Sequence, residues 1–514
     1  MSYYAQKLDE SIDQIINEVH SSDILCYGMS ASLYQWVCSS IIAEKIKGKY
    51  PESIIVIGGI GTRESAIKYL ETFSAFDFVI WGEGKNALFQ LCNQLQNSSA
   101  INIPNIAFRE KDTVKVSDNL RIIYTDIKDS NLRPEYSDYF LQKDKCVYLN
   151  TIKSYVGIEA GRGCHWKKCH FCYLNSEYKY RQKPVKIIIE EILWVIKNHN
   201  TYNFTFLDND IIGANFERYE LFLDELIKLK ETYPDFNILM AEVITHGVNA
   251  SILKKMSLAG FKNVQIGYES TSNRLLKKIR KKNSFASNLL LIKFAFLYCI
   301  YIDNANIIMG LIEETSDDII EAIENLHYLR FFLKDGIFRH SFVGIEVMRT
   351  SPYFKYIKED KSGWKRNNMF DQYLSCNYVK IGDNNADIIE YCRKEQDPLW
   401  DKFRITEGYY LKNNYEYKIL DKGSSLLYKE YFNSIVISEF EIETNSLDYY
   451  ILNFANESVI EISQLLELIR SNFNSKTLYL EIINTLEELK TEKLLYVSED
   501  YSEIISIINL NQKI

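Results

Sequence analysis

Leu8, Ile12, Ile15, Ile16 and Val19 recur at helical spacing and predict an amphipathic opening helix. The apolar run Ile24-Leu25-Cys26-Tyr27-Gly28 follows, then a helical pattern from about Leu33 to Lys49. Next come Ile54-Ile55-Val56-Ile57 ending in Gly58-Gly59, a helix from about Ser65 to Thr72, and the run from Phe76 to Trp81 closed by Gly82-Glu83-Gly84. Short apolar strands alternating with helices, with glycine at each strand end, predict a parallel α/β sheet over residues 1–100. Ligands of such sheets sit beyond the carboxyl ends of the strands, where these glycines lie. Residues 101–150 read as an irregular linker with one hairpin-like stretch.

A second strand–helix series fills residues 151–360. Strands are predicted from Tyr155 to Glu159, Asn203 to Leu207, Asn237 to Glu242, Asn263 to Tyr268, Asp303 to Met309 and His340 to Val347. Helices fall between them, such as Val185 to Asn198 and Phe216 to Thr232. Six such units predict a β/α barrel, full or partial. The longest apolar stretch, Leu289 to Ile302, is interrupted by Lys293 and is shorter than the ~20 residues a membrane span requires. It predicts a buried helix running into a strand. Past residue 360 the pattern loosens into loops, read as a segment covering the substrate. Short helices around Val459-Ile460-Glu461-Ile462 and from Thr477 to Leu489 then precede the strand-like run Lys493 to Val497. Helix, helix and hairpin predict a small α+β, winged-helix-like module within residues 361–514.

A formal net charge of −9 argues against a nucleic-acid partner, which would need a basic face. The local run Lys277, Lys278, Arg280, Lys281 and Lys282 reads as a solvated helix end. Met1 to Glu10 holds no apolar signal region, so a cytoplasmic, reducing location is expected, without membrane contact. There, ten cysteines read as ligands, catalysts or core residues rather than as disulfides. Cys299, in the buried helix, reads as core, as do Cys26, Cys38, Cys92 and Cys146.

Three of the remaining cysteines are clustered, in Gly163-Cys164-His165-Trp166-Lys167-Lys168-Cys169-His170-Phe171-Cys172. Three thiolates this close can fold around one metal centre. They fit a 4Fe–4S cluster with one iron open to an outside ligand, or a structural zinc with His165 or His170 as fourth ligand. Spacing alone leaves the two level. Position favours the cluster, because the loop follows the first barrel strand, where catalytic residues collect.

The run resembles the motif of the radical S-adenosylmethionine (SAM) superfamily, Cys-x3-Cys-x2-Cys with an aromatic residue before the last cysteine. This chain carries one extra residue between Cys164 and Cys169, and Phe171 takes the aromatic position. Phe206-Leu207-Asp208-Asn209, Gln265-Ile266-Gly267-Tyr268-Glu269-Ser270, and Asn306-Ile307-Ile308-Met309-Gly310 followed by Glu313-Glu314-Thr315 are similar to later family segments, in order. The resemblance covers about residues 155 to 350. It implies a cluster held by Cys164, Cys169 and Cys172, reductive cleavage of SAM to a 5′-deoxyadenosyl radical, and an electron donor such as flavodoxin or ferredoxin. It further implies Phe171 near the adenine, Asn209, Glu269 and Ser270 at the amino acid or ribose portion, and backbone approach to the adenine at Met309 and Gly310. Arg162 would pair with the cofactor carboxylate or lie in a surface loop.

A narrower resemblance is to members that mature ribosomally made peptides, many with an amino-terminal cobalamin-binding domain. Asp23 to Gly28, Ile55 to Gly59, Phe76 to Gly84, Gly163 to Asn175 and Ser351-Pro352-Tyr353 carry it. Only some twenty residues precede Ile24, so the Rossmann-like sheet reads as shortened, which argues against bound cobalamin. The resemblance then implies a precursor-peptide substrate modified by epimerisation, with Cys376 as hydrogen donor; Cys392 also lies beyond the barrel. Cobalamin-dependent C-methylation is the alternative, with corrinoid near Ser30, Gly58, Gly59 and Gly82 to Gly84. A zinc-stapled binding protein without catalysis is the other. Metal analysis after anaerobic reconstitution should find iron and acid-labile sulfide rather than zinc. Cys164→Ala should abolish 5′-deoxyadenosine formation from SAM; a zinc-loaded protein would refute the cluster.

Overall fold

The computed structural model describes the chain except residues 1–2, 33–34, 98–100, 112, 118–123, 130–132, 175–177, 335–337, 349, 368–389, 474–478 and 512–514. Cys376 with its neighbours Ser375 and Asn377, and the expected boundaries at Leu33, Asn175 and Thr477, lie outside the described residues. The chain divides into two compact units. One comprises residues 1–126, 171–179 and 346–394; the other comprises 127–170, 180–345 and 395–514.

In the first unit the opening helix spans Tyr3–Val19 and precedes a five-stranded sheet. Tyr27–Ser30, Ile55–Ile60 and Phe78–Trp81 are parallel, with Gln35–Lys49 and Arg63–Thr72 as crossover helices. The first strand starts three residues later than its apolar run. The hairpin-like stretch assigned to a linker is part of this sheet. Ile106–Glu110 pairs antiparallel to Phe78–Trp81, with Ile80 opposite Ile106, and Thr113–Val116 extends the edge. This pairing joins segments far apart in sequence, and Ile106 and Ala107 are buried by it.

In the second unit, Val156–Ile158, Asn203–Phe206 and Asn237–Met240 form three parallel strands. The last continues as Glu242–Val243 into a parallel set with Asn263–Glu269, Tyr301–Met309 and His340–Gly344. Six strands in consecutive order make a partial β/α barrel. Its helices start where polar caps satisfy their first amides. Asn215 accepts from Arg218 N, Asn249 from Ile252 N, Ser272 from Leu275 N, and Ser284 forms a capping box with Ser287.

The tail departs from the loop-rich expectation. A helix, Leu399–Lys412, leads into an antiparallel meander of Tyr415–Asp421, Ser425–Phe432 and Ile435–Glu443. Its turns were marked in the sequence: Gly423 takes φ +87°, and Asn433 and Ser434 take φ +49° and +70°. Helices Leu447–Phe454, Ile462–Asn472 and Tyr479–Thr491 and the hairpin of Leu495–Val497 with Ile504–Ser506 follow. Cys299 and Cys38 are exposed, contrary to the core reading. The buried helix stops at Leu297, and Cys299, at φ +55°, turns the chain outward before the next strand. No described helix is long and apolar enough to cross a membrane.

Barrel and tail share one hydrophobic core, in which the rings of Phe285 and Tyr496 are 5.0 Å apart. The helix Phe285–Leu297 carries a single charge, Lys293, which is buried. Its Nζ donates to Asn456 O (2.9 Å), Asn456 Oδ1 (2.8 Å), Ser506 O (2.9 Å) and Ile508 O (2.9 Å), all in the tail. Arg330 makes a second buried link through Nε to Glu430 Oε1 (2.8 Å) and Nη2 to Oε2 (2.9 Å). Lys293→Met, which keeps the apolar stem, should destabilise the chain by about 3 kcal/mol by stranding tail oxygens. Urea denaturation measures this, and an unchanged midpoint would contradict the docking role.

His327 lies beside this link, with Nδ1 2.9 Å from Tyr410 Oη. Burial, then Arg330 and Lys493, lower its pKa to about 4, against the pull of Glu430. A histidine depressed in the folded state contributes stability above its unfolded pKa of ~6.5, and this is lost as pH falls toward 4. Its size is about 3 kcal/mol at most. Thermal melts from pH 8 to 4 should show the native chain losing stability more steeply than His327→Gln between pH 6.5 and 4.

Candidate functional site

The carboxyl ends of the barrel strands are laced together by side chains bonded to backbone. Asp208, just past the second strand, accepts from Ala160 N at 2.9 Å. Asp210 accepts from Gly213 N (2.9 Å) and Ile244 N (3.1 Å), linking the loops after the second and third strands. Asn283 takes Thr245 N (3.0 Å) and donates to Gly267 O (2.7 Å), linking the third and fourth. Burial pushes the Asp208 carboxyl up to about 8, helped by Glu159 and Asp210 and opposed by the Ala160 and Gly161 amides. Burial likewise raises Glu242, against the attraction of Lys281.

Glu269 ends the fourth strand with φ +62°, a strained backbone for a non-glycine residue and one associated with functional positions. Its carboxylate meets Lys281 Nζ at 2.7 Å, both side chains being nearly buried. A Cβ on Gly267 would lie 2.5 Å from that Nζ, so the glycine leaves room for the lysine to reach Glu269. Ser270 is fully buried, and its hydroxyl accepts from Ser272 N at 3.0 Å. Asn209 is half-buried between the two aspartates. Met309 Sδ lies 3.0 Å from Arg404 Nη2, and Gly310, at φ +81°, donates its amide to Glu314 at 3.1 Å. Arg162 is bound to Glu159 through Nε (2.6 Å) and Nη2 (2.9 Å).

The cysteine loop belongs to both units: Cys164 and Cys169 to the larger, Phe171 and Cys172 to the smaller. All three cysteines are half-buried, and none of the described cysteines forms a disulfide. Among the described residues no three His, Cys, Asp or Glu side chains stand close enough together to hold a metal ion. The donor set itself, three thiols in a nine-residue loop, is chemically that of an iron–sulfur cluster with an open iron. His165 Nε2 lies 2.7 Å from Lys282 Nζ, while its buried Nδ1 faces Asp210 Oδ2 at 3.0 Å without a hydrogen bond. His170 Nδ1 lies 2.6 Å from Glu313 Oε1. In the smaller unit the Phe171 carbonyl accepts from Ser351 Oγ at 2.8 Å.

Sequence reasoning missed Lys281, Lys282 and Asp210. The basic run was visible, but its pairing with acids distant in sequence was not. Lys277, Lys278 and Arg280 are exposed at the end of the helix Asn273–Lys278, as expected, with Lys277 meeting Asp500 (2.8 Å) and Lys278 meeting Asp318 (2.6 Å), whereas Lys281 turns inward to Glu269.

Comparison with known proteins places this geometry. Residues 158–326 match the family model of the radical SAM superfamily. The chain is 24% identical over 311 residues to an anaerobic magnesium-protoporphyrin IX monomethyl ester cyclase of Synechocystis sp., a match covering 60% of each protein. Its fold is similar to that of the radical SAM methyltransferase TsrM from Kitasatospora setae, solved with cobalamin and a [4Fe-4S] cluster. The TM-score is 0.60 at 12% identity, over 80% of this chain and 83% of that one. It is also similar to OxsB, a cobalamin-dependent SAM radical enzyme solved with aqua-cobalamin and SAM. There the TM-score is 0.57 at 16% identity, over 77% of this chain and 59% of that one. The chain thus spans less than two thirds of the cyclase and of OxsB. Residues 158–326 of this chain thus carry a radical SAM domain.

Proposed function

We propose that this chain is a cobalamin-dependent radical SAM enzyme that transfers a methyl group to an unactivated carbon. The observation that carries the reading is the fold likeness to TsrM and OxsB, which extends over about four fifths of the chain, well beyond the barrel domain. The sequence argument against cobalamin was a shortened sheet. The hairpin at Ile106–Val116 widens that sheet to five strands from its other edge, which removes much of the argument's force.

The residues at the sheet's carboxyl end suit a bound corrinoid. Gly82 takes φ +67°, and a Cβ there would meet nothing nearer than Asn105 Nδ2, at 3.8 Å. Asn105 is buried, and its Oδ1 has no hydrogen-bond partner. A buried acceptor beside open glycine backbone fits the primary amides on a corrin rim, which are N–H donors. Gly59, by contrast, is filled from within the chain: a Cβ there would lie 2.5 Å from Ser32 Oγ.

In this reading Cys164, Cys169 and Cys172 hold the 4Fe–4S cluster, and Gly82 and Asn105 hold the corrinoid. When bound, the cluster supplies an electron to the sulfonium of SAM, and the corrinoid supplies a transferable methyl group. Glu269, held by Lys281, presents a carboxylate at the barrel mouth suited to the amino group of SAM. Arg404, beside Met309, supplies a cation nearby. Peptide epimerisation with Cys376 as hydrogen donor is the second reading. One observation favours a peptide: Ile435, Val436 and Ile437 are 67%, 44% and 52% exposed on an edge strand of the tail meander, where an extended chain can add as a further strand.

The reconstituted protein should bind hydroxocobalamin and form S-adenosylhomocysteine only when it is present. Asn105→Gly, which preserves the left-handed backbone, should weaken corrinoid binding roughly five- to tenfold, the worth of one buried hydrogen bond. 5′-Deoxyadenosine without any corrinoid binding would return the assignment to cobalamin-free chemistry.

A further inference from the structure

The Cys164–His170 loop is seated on the basic run at three points. His170 N donates to Ile279 O at 3.1 Å, Trp166 Nε1 donates to Arg280 O at 2.7 Å, and Lys282 Nζ donates to His165 Nε2 at 2.7 Å. Lys282 Nζ reaches Nε2, and the other ring nitrogen, Nδ1, faces Asp210 Oδ2 at 3.0 Å. The His165 side chain is 9% exposed and that of Asp210 is 0% exposed. A cation, an imidazole and a carboxylate therefore form a line through the barrel mouth, and its histidine is the immediate neighbour of the first cysteine. The extra residue between Cys164 and Cys169 falls in the segment that supplies Trp166 and His165 to these contacts.

We propose that Lys282 is a positioning residue for the cluster: it fixes the Cys164–Cys169 loop through His165 and places a positive charge beside Cys164 that raises the cluster's reduction potential. The inference rests on the cluster assigned to these cysteines, though not on the corrinoid. A cation near a cluster favours its reduced, more negative state, and charge is one of the levers by which a protein sets such potentials. Asp210 balances the line from its other end. It is fixed by two backbone amides, those of Gly213 and Ile244.

Lys282→Gln and Lys282→Arg separate charge from scaffold, because glutamine can still donate to His165 and arginine also keeps the cation. Each full-length variant is reconstituted, assayed for iron and sulfide, and titrated potentiometrically with the reduced cluster followed by electron paramagnetic resonance. Glutamine should keep full cluster content and shift the midpoint to more negative potential by about a tenfold change in the redox equilibrium (~59 mV for one electron). Arginine should restore it. A glutamine variant at the wild-type potential would overturn the proposal, as would loss of the cluster in both variants, which would make Lys282 only a structural anchor. A wild-type chain that assembles no cluster would overturn the cluster assignment itself, and this inference with it.

Discussion

One buried ammonium, that of Lys293, governs how the larger unit is assembled. It sits in an otherwise uncharged helix, where desolvation pushes its pKa far below the usual lysine range. A charge so placed is tolerable only if it is fully hydrogen-bonded. Its partners are oxygens of Asn456, Ser506 and Ile508, more than 160 residues further along the chain. The barrel helix therefore reaches a low-energy state only with the tail docked, and the tail carbonyls are satisfied only with the helix in place. The shared apolar core and the Arg330–Glu430 pair act in the same direction.

With barrel and tail held as one body, the strand ends can carry groups that would be unstable on a loose loop. Asp208, Asp210 and Asn283 tie successive strands through backbone amides and carbonyls, and Glu269 is kept in a left-handed conformation between them. This lacing brings acids and bases into one small region: Glu159 with Arg162, Glu269 with Lys281, and Lys282 with His165 and Asp210. Such preorganised charge is what a site needs if it is to bind a zwitterionic cofactor and set the potential of a metal cluster.

A barrel of this kind generates reactivity but does not by itself choose a substrate, since one fold hosts many chemistries. The five-stranded sheet ends in glycine-lined backbone beside the unpartnered side-chain Oδ1 of Asn105. The tail meander presents an apolar strand edge. These are different kinds of surface, one lined by glycine backbone and a buried amide, the other an exposed apolar edge.

Much of the fold was legible in the sequence because it is local. Apolar runs placed the six barrel strands, and helical periodicity placed the helices at Val185–His199 and Phe216–Thr232, within a few residues. The cysteine spacing singled out its loop without any neighbour. What failed was whatever depended on distant partners. The hairpin at Ile106–Val116 looked like linker because its pairing strand is Phe78–Trp81, and the meander was lost among loops although Gly423 and Asn433-Ser434 marked its turns. Lys293 looked like an interruption, and Lys281 and Lys282 like part of a solvated end, because charge alone does not reveal whether it is paired. The sequence by itself determined the six barrel strands and their order, the three parallel strands of the first sheet, and the donor chemistry of Cys164, Cys169 and Cys172. Only the tertiary structure decided which charges are buried, what neutralises them, and that the cysteine loop rests on Ile279–Lys282, since these depend on contacts between residues more than a hundred positions apart.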